Sequence, residues 1–385
     1  MGAAKMKNIS VIGIGRLGLC FALTLERAGY NALGCDLKQD YVDSVNDKTF
    51  FSREPLLNRY LKEALLFRAT TSFAKTIEHS NLIFVTVRTE SEADGRYDVS
   101  QVESVVASIQ QLGPQENKKH LVICSNVNPG YSDTVAERLK ELNWEVSYNP
   151  ETVAQGTILI NQSNPDCVYV GSDTDELADE IKEVYKNICD NSPSIHCMDR
   201  LGAELTKVSL NCFLTVKISF ANMVGNLATK MGVNPEKVLR AVGSDQRINN
   251  KFFKYGFGWG GPCFPRDTRA FIRNAEQCGI NAHLVKAAGV INKEHLEFQV
   301  EKFILEYDTD EPIIFDGRGQ ALTGAAVFEG VTYKKGTTII EESQQLAFAA
   351  KLASLGYEII IIDHLETINK VKEAHGDIFV YEEII

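Results

Sequence analysis

Six residues near the start of the chain, Gly13-Ile14-Gly15-Arg16-Leu17-Gly18, constrain the fold more than any other stretch. They follow the apolar run Asn8-Ile9-Ser10-Val11-Ile12, which reads as a strand. They open Leu17 to Ala28, where apolar residues recur at helical spacing. Glycines at these positions allow a tight turn and close approach of backbone to a pyrophosphate, with the helix N-terminus facing the phosphates. A second strand, Ala32 to Asp36, ends in an acid 18 residues past Gly18, suited to accept hydrogen bonds from adenosine ribose hydroxyls. A glycine pattern alone is weak, but with strand, helix and acid in place it predicts a dinucleotide-binding unit. Asp36 would repel a 2′-phosphate, which favours NAD over NADP.

The alternation continues through Leu82 to Val87, Leu121 to Cys124 and Val146 to Tyr148, as in a parallel sheet wrapped by helices. From Gly202 the texture changes. Ala203 to Met231 holds no proline and reads as a helix of roughly 28 residues, about 40 Å long, a length suited to bridging domains or subunits. Phe252 to Pro265 has no period and reads as a loop. Strand signals return at Ile313 to Phe315, Ala326 to Phe328 and Glu358 to Asp363, with a helix from Gln344 to Leu355 and a short strand at Ile378 to Tyr381. Apolar residues make up 44% and charged residues 24%, which is globular composition and excludes disorder. A net charge of −11 argues against a nucleic-acid partner. The apolar runs Leu82 to Val87 and Ile359 to Ile362 fall short of a membrane span. No signal peptide is expected, the myristoylation pattern fails at Met6, and Met1 to Lys5 reads as a vector-derived leader. Nine cysteines without a C-x-x-C pair, and histidines away from ligand spacing, argue against disulfides and metal and for a reduced, cytoplasmic setting.

Two constellations could carry chemistry. Lys207 and Asn211 lie four apart on the long helix and share a face, where a cation and an amide could hold an oxyanion; a solvated pair is the duller reading. The loop from Gly256 to Asp267 combines close-approach glycines, aromatics and Cys263 with Arg266 and Asp267 just behind. A neighbouring cation favours thiolate and a covalent role; a structural loop with an incidental cysteine is the alternative.

These motifs, with Asp245-Gln246-Arg247-Ile248, Tyr148-Asn149-Pro150-Glu151, Tyr333-Lys334 and Glu341-Glu342-Ser343, occur in an order and spacing that resembles the UDP-glucose/GDP-mannose dehydrogenase family. The resemblance covers nearly the whole chain. It implies an α/β fold with two Rossmann-like parallel-sheet domains joined by a long central helix and a helical dimerisation domain. The implied bounds are 1–200 for NAD binding, 201–300 for the helical centre with the cysteine loop, and 301–385 for a shortened nucleotide-sugar domain. It implies NAD-dependent, four-electron oxidation of the C6 alcohol of a nucleotide sugar, of the UDP-glucose type, to a uronic acid. Cys263 then matches the nucleophile, Lys207 and Asn211 the oxyanion holders, Asp267 the acid that orders water, and Glu151 a carboxylate assisting proton transfer. Gly13, Gly15, Gly18, Asp36, Thr86 and Asn126 would serve the cofactor, and Phe257, Gly260 and Lys334 the substrate. Arg247 matches an arginine that reaches the substrate from a neighbouring subunit, which implies a homodimer or larger homo-oligomer.

The chain departs from the family pattern at several points. Asn126 stands where threonine is usual, and Thr152-Val153-Ala154-Gln155 replaces an aromatic and charged run. Val87-Arg88 replaces a smaller dipeptide, Arg266 a lysine and Glu342 an arginine. Cys263, Lys207, Asn211 and Asp267 are all kept. Two alternatives follow: a non-catalytic or altered-specificity homologue that binds NAD and a nucleotide sugar, and a 2-hydroxyacid dehydrogenase of related architecture. The latter has no use for Cys263.

Overall fold

The computed structural model describes residues 7–153, 155–307, 313–315, 321–323 and 326–384. Met1 to Lys5 and Ala154 lie outside them. The chain divides into two compact units, Met1–Val208 and Ser209–Ile385.

In chain order the first unit holds β1 (Asn8–Ile12), α1 (Arg16–Arg27), β2 (Asn31–Cys35), α2 (Gln39–Asn46), α3 (Leu57–Glu63), β3 (Arg68–Thr70), α4 (Phe73–His79) and β4 (Leu82–Val85). A small hairpin, β5 (Glu90–Ser91) and β6 (Tyr97–Asp98), leads to α5 (Ser100–Leu112), β7 (Lys119–Ile123), α6 (Tyr131–Leu139), β8 (Trp144–Tyr148), α7 (Ile158–Ser163), β9 (Cys167–Gly171), α8 (Asp175–Ile188) and β10 (Ser194–Met198). Eight strands form one sheet in the order β10-β9-β8-β7-β4-β1-β2-β3, parallel except where β8 meets β9. Both faces are covered, so β4 is apolar throughout: Leu82 and Phe84 enter one core with Val11 and Phe21, while Ile83 and Val85 enter the other with Val106 and Ile123. The strand order reverses between β1 and β4, and such a switch point opens a crevice at the carboxyl ends of the strands.

Helix α9 (Arg200–Lys230) spans the division between the units, at 31 residues or about 46 Å. It alone among the described residues is long and apolar enough to pass for a membrane span, with a mean hydropathy of 1.3 over 18 residues. It also carries Glu204, Lys207 and Asn211 as buried groups, the pattern of a core helix. In the first unit Glu204 accepts the Gly130 and Ser132 N–H groups at 2.5 and 2.9 Å, capping α6, and Arg200 pairs with Asp133 and Asp173.

The second unit continues with α10 (Pro235–Gly243), α11 (Phe264–Gln277) and α12 (His283–Tyr307), followed by β11 (Ile313–Phe315), β12 (Ala321–Thr323), β13 (Val327–Glu329), α13 (Gln344–Ser354), β14 (Ile360–Asp363), α14 (Leu365–His375) and β15 (Val380–Glu383). Its five-stranded sheet runs β12-β11-β13-β14-β15, parallel except for β12. The Phe348 ring packs against Phe257, Phe303 and Phe328, tying the cysteine loop and α12 to this sheet.

Candidate functional site

The candidate cofactor residues lie along the carboxyl ends of the parallel strands in the first unit. Gly13 follows β1 and donates to the Cys35 carbonyl at 2.8 Å, which ties the glycine loop to the end of β2. Gly18 has no room for a side chain: a β-carbon would sit 2.1 Å from the Gly13 oxygen and 2.3 Å from Thr86 Oγ1. Thr86, just past β4, spends its hydroxyl on the Gly13 carbonyl at 2.6 Å, so it holds the loop. Gly15 is exposed with open space beside it, and α1 starts without a side-chain cap or an acid in its first turn. Uncapped N–H groups and a clear approach suit a pyrophosphate. Asp36 follows β2 and is half-buried, its backbone N–H donating to the Thr70 carbonyl. These residues fit NAD, whose pyrophosphate the α1 terminus would hold and whose ribose Asp36 would take.

Asn126 follows β7 and Glu151 follows β8 on the same edge of the sheet. Glu151 accepts from Gln162 Nε2 at 3.2 Å. Burial pushes its carboxyl up to about 7, against the opposing pull of the Gln162 hydrogen bond and the Lys207 cation. A carboxyl that titrates near neutrality is suited to moving a proton. Lys207 itself is 8% exposed.

In the second unit, Asn211, four residues along α9 from Lys207, donates to Asp267 Oδ2 at 2.5 Å. Asp267 is wholly buried, and Arg266 Nε lies 3.3 Å from its other oxygen. Cys263 is exposed and caps α11, its carbonyl accepting the Asp267 N–H at 2.8 Å. The helix dipole favours negative charge at that position. The sequence motif thus places thiol, carboxylate and amide on two facing elements of one unit.

Three side chains that sequence reasoning missed hold the loop ahead of Cys263. Asn292 of α12 accepts the Trp259 N–H and donates to the Trp259 carbonyl, both at 2.9 Å. His295, one turn along, meets the Gly256 carbonyl at 2.6 Å, and Asn222 of α9 meets the Gly256 N–H and the Phe257 carbonyl. All three are buried, whereas asparagine or histidine on a helix normally reads as solvated. Burial holds His295 neutral, its imidazole pushed down to about 4. Gly260 abuts the Glu342 carbonyl so closely that a β-carbon would lie 2.0 Å from it.

A cavity of about 770 Å³ opens beside this loop, lined by Asn249, Lys251, Phe252, Lys254 and Phe257 among others. Asn249 and Phe252 both adopt left-handed backbone, with φ of 52° and 58°. Asparagine tolerates that region, but a phenylalanine there is strained, and such strain gathers at functional segments. Arg247 stands 89% exposed, held by Asp245 at 2.7 Å. Lys334 is half-buried in a turn whose carbonyl accepts from Thr332 and Thr337. Among the described residues no group of three or more His, Cys, Asp and Glu could hold a metal ion.

Comparison with known proteins gives the context. The sequence profile of the UDP-glucose/GDP-mannose dehydrogenase family, NAD binding domain, matches residues 7–189, and that of the family's central domain matches residues 202–294. The UDP-glucose 6-dehydrogenase AglM of Haloferax volcanii is 29% identical over 96% of this chain and 86% of its own length. The UDP-glucose 6-dehydrogenase of Pseudomonas aeruginosa is 30% identical over 91% of this chain and 78% of its own. The solved UDP-glucose dehydrogenase of the archaeon Pyrobaculum islandicum superposes with a TM-score of 0.87 at 28% identity, covering all of this chain and 88% of that one. The chain belongs to the UDP-glucose/GDP-mannose dehydrogenase family of NAD-dependent nucleotide-sugar oxidoreductases, and its first unit is that family's NAD-binding domain.

Proposed function

We propose that this protein oxidises the C6 alcohol of a UDP-sugar of the UDP-glucose type to the uronic acid through a covalent adduct on Cys263. The observation that carries the reading is Cys263 at the N-terminus of α11, one turn before a buried Asp267 held by Asn211. NAD⁺, when bound, supplies the hydride acceptor, two being consumed per sugar.

Cys263 Sγ adds to C6 at the aldehyde stage and gives a thiohemiacetal. That tetrahedral carbon releases hydride far more readily than a bare aldehyde. Once both hydrides have left, C6 is a thioester; water adds, the C–S bond breaks, and the thiolate and carboxylic acid result. Lys207 and Asn211 stabilise the negative oxygen at each tetrahedral stage. Asp267 orients the water, and Glu151 relays the alcohol proton. The cavity beside Lys251, Lys254 and Phe252 supplies cations for a diphosphate and a ring for a base, with Phe257, Gly260 and Lys334 completing the substrate contacts.

The assembly is a homodimer or larger. Phe213, Phe220 and Leu227 follow one another at intervals of seven along α9 and are 63, 47 and 59% exposed, a seam that a second copy would cover. Arg247, fully offered to solvent, reaches the substrate of the neighbouring subunit. Free cysteines throughout support a cytoplasmic setting.

The experiment is a panel of UDP-, GDP- and TDP-sugars with NAD⁺, scored as NADH formed per sugar. Two NADH per sugar, with the complete reaction lost in Cys263→Ser, is expected. One NADH, with the product stopping at the aldehyde, overturns the covalent reading. Binding without any NADH across the panel would establish the non-catalytic alternative.

A further inference from the structure

The glycine loop can receive a pyrophosphate only if its peptide groups point in fixed directions, and a side chain far from the fingerprint helps to set them. Tyr41, in α2, donates its hydroxyl to the Ile14 carbonyl at 2.5 Å. The peptide joining Ile14 to Gly15 is trans, so its C=O and N–H point in opposite directions. Holding the carbonyl toward α2 therefore aims the Gly15 N–H away from α2.

Gly15 is the exposed N-cap of α1, with open space where a β-carbon would be. The preceding peptide is fixed in the same manner: the Gly13 carbonyl accepts from Thr86 Oγ1 at 2.6 Å while the Ile14 N–H reaches the Cys35 carbonyl at 3.3 Å. The Ile14 side chain is wholly buried, with its Cγ2 lying 2.7 Å from where a β-carbon on Gly34 would stand. The Tyr41 ring is braced edge-on against Phe50, with centroids 5.1 Å apart and planes at 89°. Burial raises the Tyr41 hydroxyl well above the usual phenol range, so it stays a donor.

We propose that Tyr41 is a positioning residue for the NAD pyrophosphate, acting through the Ile14–Gly15 peptide. The role depends on NAD binding by the first unit and is independent of which sugar is oxidised. Tyr41→Phe keeps the ring and removes the hydroxyl. Calorimetry is expected to show NAD and ADP-ribose bound about three- to tenfold more weakly, the scale of one hydrogen bond, with adenosine, which carries no phosphate, unaffected. Turnover at saturating NAD and the KM for the sugar nucleotide stay unchanged.

An unaltered Kd for NAD, or an equal loss for adenosine, overturns the proposal. Phe50→Leu keeps the hydroxyl and loosens only the brace, so it covers the case in which Tyr41→Phe does not fold. It is expected to bind NAD within about twofold of the parent. A loss of about tenfold there would assign the effect to packing and overturn the proposal as well.

Discussion

Asn292→Ala tests whether the cysteine loop is held from behind. The side chain is 6% exposed and satisfies both backbone groups of Trp259 at 2.9 Å. Truncation leaves a buried N–H and a buried C=O without that partner. Each such group costs about 1–3 kcal/mol, roughly 2–6 together, and water entering the space recovers part, leaving about 2–4 kcal/mol. The loop from Trp259 to Cys263 then samples other positions, and a misplacement of ~1 Å in a reacting group is worth up to about 100-fold in rate. We expect kcat to fall about 10- to 100-fold.

The chain's two tryptophans offer a direct readout. Trp144 lies in the first unit and Trp259 in the second, where its indole N–H donates to Ser219 Oγ at 2.9 Å. In a Trp144→Phe background, Trp259 emission in Asn292→Ala should shift to the red while far-UV circular dichroism stays unchanged. Unshifted emission with kcat within about twofold of the parent would falsify the clamp.

Three further outcomes are expected. Gly18→Ala drives a β-carbon to 2.1 Å from the Gly13 carbonyl; it should cost several kcal/mol, on the order of 3, and abolish measurable NAD binding by calorimetry. Glu151 titrates near 7 in the folded chain and near 4.5 unfolded, so the native state holds the extra proton and stability falls as pH rises across that window. Glu151→Gln should therefore stabilise the first unit at pH 8 and not at pH 4, and should remove the limb near pH 7 from the kcat/KM profile; an unchanged limb would assign that titration to another group. Phe220→Glu puts a charge on the exposed seam of α9 and should lower the mass found by sedimentation, whereas an unaltered mass would place the contact between copies elsewhere.

The parts of the fold that read well from sequence were those in which each strand or helix carries its own pattern. β1, β2, β4 and the start of α1 fell within a residue or two of expectation, and the expected helix from Ala203 to Met231 runs from Arg200 to Lys230. β9 and β10 went unseen. β10 is an edge strand with His196 and Cys197 facing solvent, so it lacks the apolar run that buried strands show. The candidate chemistry-bearing residues were legible as two local pairs, Lys207 with Asn211 and Cys263 with Asp267, each four residues apart, although the Asn211–Asp267 contact itself spans 56 residues. The residues that hold them were not, since Asn222, Asn292 and His295 meet the loop only after 30 to 40 intervening residues have folded back. The Tyr41 bond to Ile14, spanning 27 residues, is hidden for the same reason.

Glu204 joins two parts of the first unit that sequence keeps far apart. One carboxylate grips the turn that follows Asn126, and three residues along the same helix stands Lys207. With the sugar nucleotide drawing on Lys207 and NAD on Asn126, as proposed, this carboxylate would link the two ligands, and any such coupling is reciprocal. The factor by which a bound sugar nucleotide changes NAD affinity must equal the factor by which NAD changes affinity for the sugar, and weakening this grip with Glu204→Gln should bring both toward one.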